Sequence, residues 1–480
     1  MRILSALLAV CLTTVCGDRA RAQTLPNDEE IRQLLADRID VQKKSVGMVV
    51  GVITPQGRRL VTYGRLNQGD VRPLDGDTVF EIGSVTKVFT ALLLADMAQR
   101  GEVHLEDPVA KYLPPTVHVP ERNGRSITLV DLATQTSGLP FFPPDIPLDD
   151  RAADVVAKYT TRQLYAFLST WNPPRDIGSK WEYSDVGFGL LGQALARRAE
   201  VDYESLVHER VVKPLGLAST AITLSPQMKR RLAVGHDAEL RPAPSVNMPA
   251  FEGAGSLRSS ANDLLSFLAC FVGLKESPLA PAMASMLTTR RPGPGFQQAL
   301  GWWIVSLKEG DPGFVFHGGQ TSGFASSVGF DPQTHVGVVV LSNGSTDDGG
   351  LAWHLLRPAF PMTTSTAERA RKERKEVSLQ PELASLYAGQ YQIKDGPAAG
   401  IVIRIERQGA ALMFVSPSTP ADGFRLHAEN EERFFITEAD LVVTFQRNGE
   451  GQAESLTMQF AGVRTVASKM RPGGAQPDRH

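Results

Sequence analysis

At 480 residues the chain has room for one large domain and a smaller one. Its 21% charged and 42% hydrophobic residues are those of an ordinary globular protein. A formal net charge of −2 gives no argument for nucleic acid or an anionic membrane as partner, and neither is expected.

The first segment reads as a processing signal. Arg2 precedes an apolar run over 3–15, and Ala20-Arg21-Ala22 fits a small-residue cleavage site before Gln23. The run is short for a spanning helix. Residues 1–22 are therefore expected to be a signal peptide, and the protein periplasmic or secreted with no stable membrane insertion afterwards. Cys11 and Cys16 fall inside that segment, which leaves Cys270 alone and rules out an internal disulfide in the mature chain.

Apolar spacing at Ile31, Leu34, Leu35 and Ile39 predicts an amphipathic helix over 28–43. Two β-rich runs, 46–53 and 59–63, flank Thr54-Pro55-Gln56-Gly57 and read as a hairpin. Phe80-Glu81-Ile82-Gly83 then leads into an apolar helix that runs through Leu92 and Met97 towards Gly101. Ser84 and Lys87 stand three residues apart in its first turn, a spacing that puts both side chains on one face. A serine hydroxyl becomes a useful nucleophile when a neighbour takes its proton and positive charge stabilises the product. Ser-x-x-Lys occurs once, at a helix start. The competing reading is a plain helix cap with a solvated lysine.

Thr128 caps a predicted short helix over 129–135, and the Pro-rich run 141–150 reads as a loop overhanging a cleft. Further helices are predicted at 161–169, at 186–199 and from Asn262-Asp263 onward. Strands follow at 300–305, 314–317, 326–330 and 337–342. Strands at both ends with helices between them imply that the first and last strands meet in one antiparallel sheet. Residues 363–378 alternate in charge and read as a solvated helical linker. Beyond it, runs at 401–405, 412–415, 434–436, 441–445 and 456–460 read as a small all-β sandwich or barrel over 379–472.

Two further stretches supply what a nucleophile needs. Tyr183-Ser184-Asp185 precedes the 186–199 helix, and His317-Gly318-Gly319-Gln320 lies on a predicted strand. With Ser84-Val85-Thr86-Lys87, in this order, they resemble the three motifs of the serine β-lactamase and penicillin-binding-protein superfamily, in its class C-like branch. Within it the chain is similar to exported D-alanyl-D-alanine carboxypeptidase/endopeptidase-like proteins. Segments around Leu132 to Leu139, Pro214-Leu215-Gly216-Leu217 and Gly337 to Asn343 look like the family's framework, so the resemblance spans roughly residues 28–360. It implies an α+β fold in which an antiparallel sheet is flanked by helices with an all-helical subdomain, over 23–362. It also implies an acyl-enzyme on Ser84, a Tyr183 phenol with its pKa lowered by Lys87 to serve as base, and an oxyanion site from the N–H groups of Ser84 and Gln320. Gly318 and Gly319 would let the substrate lie against the strand.

Three positions depart from the family pattern. Asp185 replaces an asparagine whose amide donates to the substrate; a carboxylate only accepts, and is expected instead to pair with Lys87. His317 replaces a lysine, so the cation facing a substrate carboxylate is only partly present at neutral pH. Phe142 stands where class C enzymes have a substrate-contacting glutamine. The expectation is a serine hydrolase acting on D-Ala-D-Ala or β-lactam amides. The alternatives are a carboxylesterase on the same scaffold, or a penicillin-binding sensor that does not turn over. No metal spacing, P-loop or Gly-x-Ser-x-Gly elbow is present, so neither a metal nor another cofactor is expected.

Overall fold

The computed structural model describes residues 25–147, 152–306, 310–345, 350–358, 360, 362, 374–393, 401–409, 411–416, 423–437, 441–449, 451–460 and 463–470. The expected signal peptide lies outside them. The first helix, Asp28–Ala36, is held at its start by an Asn27–Glu30 capping box and passes into a π turn, Asp37–Val41. The helical reading to 43 was thus too uniform: the coil widens after Ala36.

The hairpin forms as expected. Gly47–Thr54 pairs with Gly57–Gly64 in a register that sets Thr54 against Gly57, leaving Pro55-Gln56 as a two-residue turn. Val50 of the first strand also faces Val340 of Val336–Ser342, so strands from the two ends of the domain are neighbours. The antiparallel sheet has eight strands. From one edge they are Gly57–Gly64, Gly47–Thr54, Val336–Ser342, Ala325–Asp331, Phe314–Gln320, Trp303–Val305, Gln297–Gln298 and Arg291–Pro292. The 300–305 strand is shorter than expected because Gly301 turns the chain with φ +69, where a Cβ would lie 2.7 Å from Ala91.

Both faces of the sheet are covered. Leu265 and Leu268 of the Ala261–Phe271 helix pack on one face, and Leu351 and Leu355 of Gly350–Leu356 on the other. The former helix starts one residue before Asn262, capped by Ser260, whose hydroxyl accepts from the Asp263 N–H. At the centre of the helical part runs Thr86–Gln99, buried on every side from Thr86 to Met97. A helix apolar all round must sit in a core. Phe89 and Phe267 stack across it at 4.5 Å.

The C-terminal region is a closed barrel of eight strands in simple meander order, from Gly389–Ile393 to Val463–Lys469, with its own apolar core. Closure removes the open edges that a sandwich would keep. Residues 363–373 of the expected helical linker lie outside the described residues. The described remainder, 374–378, is not helical. Val377 donates its N–H to the Ala428 carbonyl at 2.8 Å, and Glu376 pairs with Arg425 at 2.9 Å and with His427 at 3.0 Å. Backbone pairing to a strand selects extended chain, which is why this part of the charged run is no helix.

Candidate active site

Ser84 lies in a 3₁₀ turn, Gly83–Val85, that feeds directly into the Thr86–Gln99 helix. The turn is held from three directions. Ile82 donates its N–H to the Leu257 carbonyl at 3.1 Å, its carbonyl accepts from Ser326 Oγ at 2.8 Å, and Thr86 Oγ1 accepts from the Leu257 N–H at 3.1 Å. Gly83 takes φ +46, and a Cβ there would fall within 2.8 Å of the Gln320 nitrogen. A Cβ on Gly319 would lie 2.1 Å from the Ile82 carbonyl and 3.0 Å from the Ser84 nitrogen. Two glycines facing each other thus bring the nucleophile turn against the strand Phe314–Gln320, and set the backbone of Ser84 beside that of Gln320.

Lys87 is fully buried, and its ammonium is surrounded by oxygens. Nζ donates to Ser84 Oγ at 2.9 Å and to the Ala254 carbonyl at 2.8 Å, and forms an ion pair with Asp185 Oδ1 at 2.6 Å. Burial works against its charge. The Asp185 carboxylate outweighs burial together with Tyr183, and the lysine pKa ends above the usual value. Burial also pushes the Asp185 carboxyl up, although Lys87 opposes it. The expected pairing of Asp185 with Lys87 is therefore present.

Tyr183 joins the same cluster. Lys87 Nζ lies 4.7 Å from its ring centroid, and its hydroxyl interacts with both Lys87 and Ser84. Lys87 acts on this phenol in the expected direction, but the expected result, a phenol with a lowered pKa, is corrected. Burial raises it, Lys87 lowers it, Asp185 raises it again, and the net direction is up. A lysine whose charge is balanced by a carboxylate has little left with which to hold a phenolate, so Tyr183 rests as a neutral phenol. Its position is fixed from behind by Gln135, a non-glycine residue at φ +59. Gln135 Oε1 accepts from the Ser184 N–H at 2.8 Å and its carbonyl from the Glu182 N–H at 2.7 Å. Ser184 then caps the Asp185–Arg198 helix by accepting from Gly187. That strained backbone sits in the segment marked as framework, but no sequence signal pointed to Gln135 itself.

His317 shares its strand face with Gly319, the face turned to the nucleophile. It is 2% exposed, stacks on Trp303 at 5.0 Å, and its Nδ1 donates to the Gly318 carbonyl at 2.7 Å. Burial and the nearby Lys87 charge bring its pKa down to about 3, so the expected partial cation is replaced by a neutral imidazole. That state carries a stability consequence. Between pH 6.5 and 3 the unfolded chain takes up a proton that folded His317 refuses, so this contribution is complete above 6.5 and is lost as the pH falls. Replacing His317 with glutamine is expected to flatten the acid limb of a stability-versus-pH curve by up to about 1.4 kcal/mol per pH unit in that window. Urea melts of both proteins from pH 4 to 7 check it, and parallel curves would contradict it.

Beside Ser84 opens a cavity of about 150 Å³. Phe141, Phe142, Val156, Val246 and Met248 supply its apolar walls, and Asp185 its only charged side chain among the described residues. Phe142 packs edge-on against Phe251 at 5.5 Å, which fits the expected overhang of the Pro-rich loop. Sequence reasoning missed the wall from Val246 to Met248. It is tied down by a buried pair: Arg258 reaches Glu81 at 3.2 Å and the Val246 carbonyl at 2.7 Å, while Glu81 accepts from the Val246 N–H.

A serine paired with a buried lysine at a helix start, facing a glycine-lined sheet strand across from a phenol, defines a serine hydrolase. The family model described as Beta-lactamase matches residues 27–359. Similar proteins include the D-alanyl-D-alanine-carboxypeptidase/endopeptidase AmpH of Escherichia coli K12, 33% identical over 354 residues, covering 70% of this chain and 89% of that protein. A Beta-lactamase of the same bacterium is 26% identical, covering 73% of this chain and 98% of its own length. Among solved structures, the class C beta lactamase from Rhodobacter sphaeroides superposes with a TM-score of 0.57 at 25% identity, over 66% of this chain and 95% of that one. The chain belongs to the beta-lactamase family, within the serine β-lactamase and penicillin-binding-protein superfamily.

Proposed function

We propose that this serine hydrolase is exported and works through an acyl-enzyme on Ser84, with D-alanyl amides or β-lactams as its substrates. The observation that carries the reading is the 2.9 Å contact of Lys87 Nζ with Ser84 Oγ, with the Tyr183 hydroxyl beside both. Ser84 Oγ attacks the carbonyl carbon, and its proton passes to the Tyr183 oxygen as the phenol's own proton goes to the leaving group. A neutral phenol suits this exchange because it never has to store a negative charge. The N–H groups of Ser84 and Gln320 hold the oxyanion, and fixed donors need no rearrangement as charge develops. Water then attacks the acyl-enzyme and the same exchange runs in reverse. The substrate class rests on the similarity to AmpH and to the β-lactamase of Escherichia coli.

A second reading, ester hydrolysis, is favoured by the apolar cavity and by Asp185, which offers no amide donor to a substrate. Release of D-alanine from a D-alanyl peptide against hydrolysis of p-nitrophenyl butyrate separates the two. Faster ester turnover with no D-alanine released would replace the first reading with the second. For the proton exchange, Tyr183→Phe is expected to lower kcat about 10²- to 10⁴-fold while Ser84 still reacts with a fluorophosphonate. Unchanged kcat would remove Tyr183 from the mechanism.

A further inference from the structure

The electrostatics around Ser84 bear on which acyl compounds can enter. Lys87 is the cation nearest the nucleophile, and it has no exposed surface. Its ammonium is already engaged by Asp185, Ser84 Oγ and the Ala254 carbonyl, so no proton on it is left for a substrate anion. The imidazole of His317 is sealed beneath Trp303 and spends its Nδ1 proton on Gly318. What does reach the cavity is a carboxylate: Asp185 is on its wall, with 9% of its side chain exposed. The other described wall residues are apolar or uncharged. An anion entering here would lose its water and find no described cation free to replace it.

We propose that the site selects substrates that are uncharged next to the scissile bond, and that Asp185 enforces this by holding the Lys87 ammonium away from a substrate carboxylate. This rests on the acyl-enzyme reading above and narrows it. Among D-alanyl compounds, those capped as an amide at the C-terminus are preferred over free D-alanine termini. Among esters and lactams, those without a carboxylate are preferred. The apolar walls receive the neutral group beside Ser84.

The test compares matched pairs on the full-length chain: an N-acyl-D-alanyl-D-alanine against its C-terminal amide, and p-nitrophenyl butyrate against p-nitrophenyl hemisuccinate. Each compound is read twice, by turnover and by how well it protects Ser84 from a fluorophosphonate. The neutral member of each pair is expected to win by about tenfold or more in both readouts. Asp185→Asn should shrink that ratio, and His317→Lys provides a second route to the same change if the asparagine variant does not fold. Equal or better handling of the carboxylates by the unmodified protein overturns the proposal while leaving Ser84 as nucleophile. Failure of the fluorophosphonate to label Ser84 at all would overturn the acyl-enzyme reading itself.

Discussion

Replacing Ser84 with alanine is expected to reduce turnover of every substrate by about 10⁴-fold or more, with the fold intact. Nucleophiles that act as one unit with their base carry losses on that scale. The side chain removed is small and only partly buried, and its polar contacts are the bond from Lys87 and the Tyr183 hydroxyl. Lys87 keeps Asp185 and the Ala254 carbonyl when the hydroxyl goes. The melting temperature should therefore move little. Activity that survives in Ser84→Ala would place the chemistry elsewhere, and a collapsed melting temperature would show that the hydroxyl is a structural cap.

Lys87→Met is expected to be costly in a different way. It removes turnover and also leaves the Asp185 carboxylate buried without its counterion. Breaking one side of a buried pair typically costs about 3–5 kcal/mol, whereas replacing both sides with neutral groups can be nearly free. The double change Lys87→Met with Asp185→Asn should thus regain most of the lost stability and none of the activity. Chemical denaturation of wild type, both single variants and the double variant gives the coupling directly. Additive losses would mean that the 2.6 Å pair is not the interaction that holds the site together.

Much of this was legible in the residues because it is local or periodic. The two-residue turn at Pro55-Gln56 follows from alternation on either side of it, and the buried helix after Ser84 from an unbroken apolar run. The Ser84–Lys87 pairing follows from helical spacing alone. The neutral state of His317 was not legible, because it depends on burial beneath Trp303 from a neighbouring strand and on the Lys87 charge brought close by the fold. The Ala254 carbonyl, which takes one of the Lys87 protons, has no side-chain signature at all. Barrel closure was half legible. The strands Phe424–Ala428 and Val463–Lys469 carry Arg425, His427, Arg464 and Lys469, so their apolar content is too thin to mark them as strands. Glu81 and Arg258 belong to paired strands far apart in the sequence, and only the fold brings them together.

The most direct test of an acyl-enzyme on Ser84 is intact-mass analysis of the protein quenched during reaction with p-nitrophenyl butyrate or a neutral β-lactam, followed by peptide mapping. The account predicts one acyl group per chain, on the peptide containing Ser84, absent from Ser84→Ala and persisting longer in Tyr183→Phe. Rapid turnover with the adduct on another residue, or with the same adduct in Ser84→Ala, would contradict it.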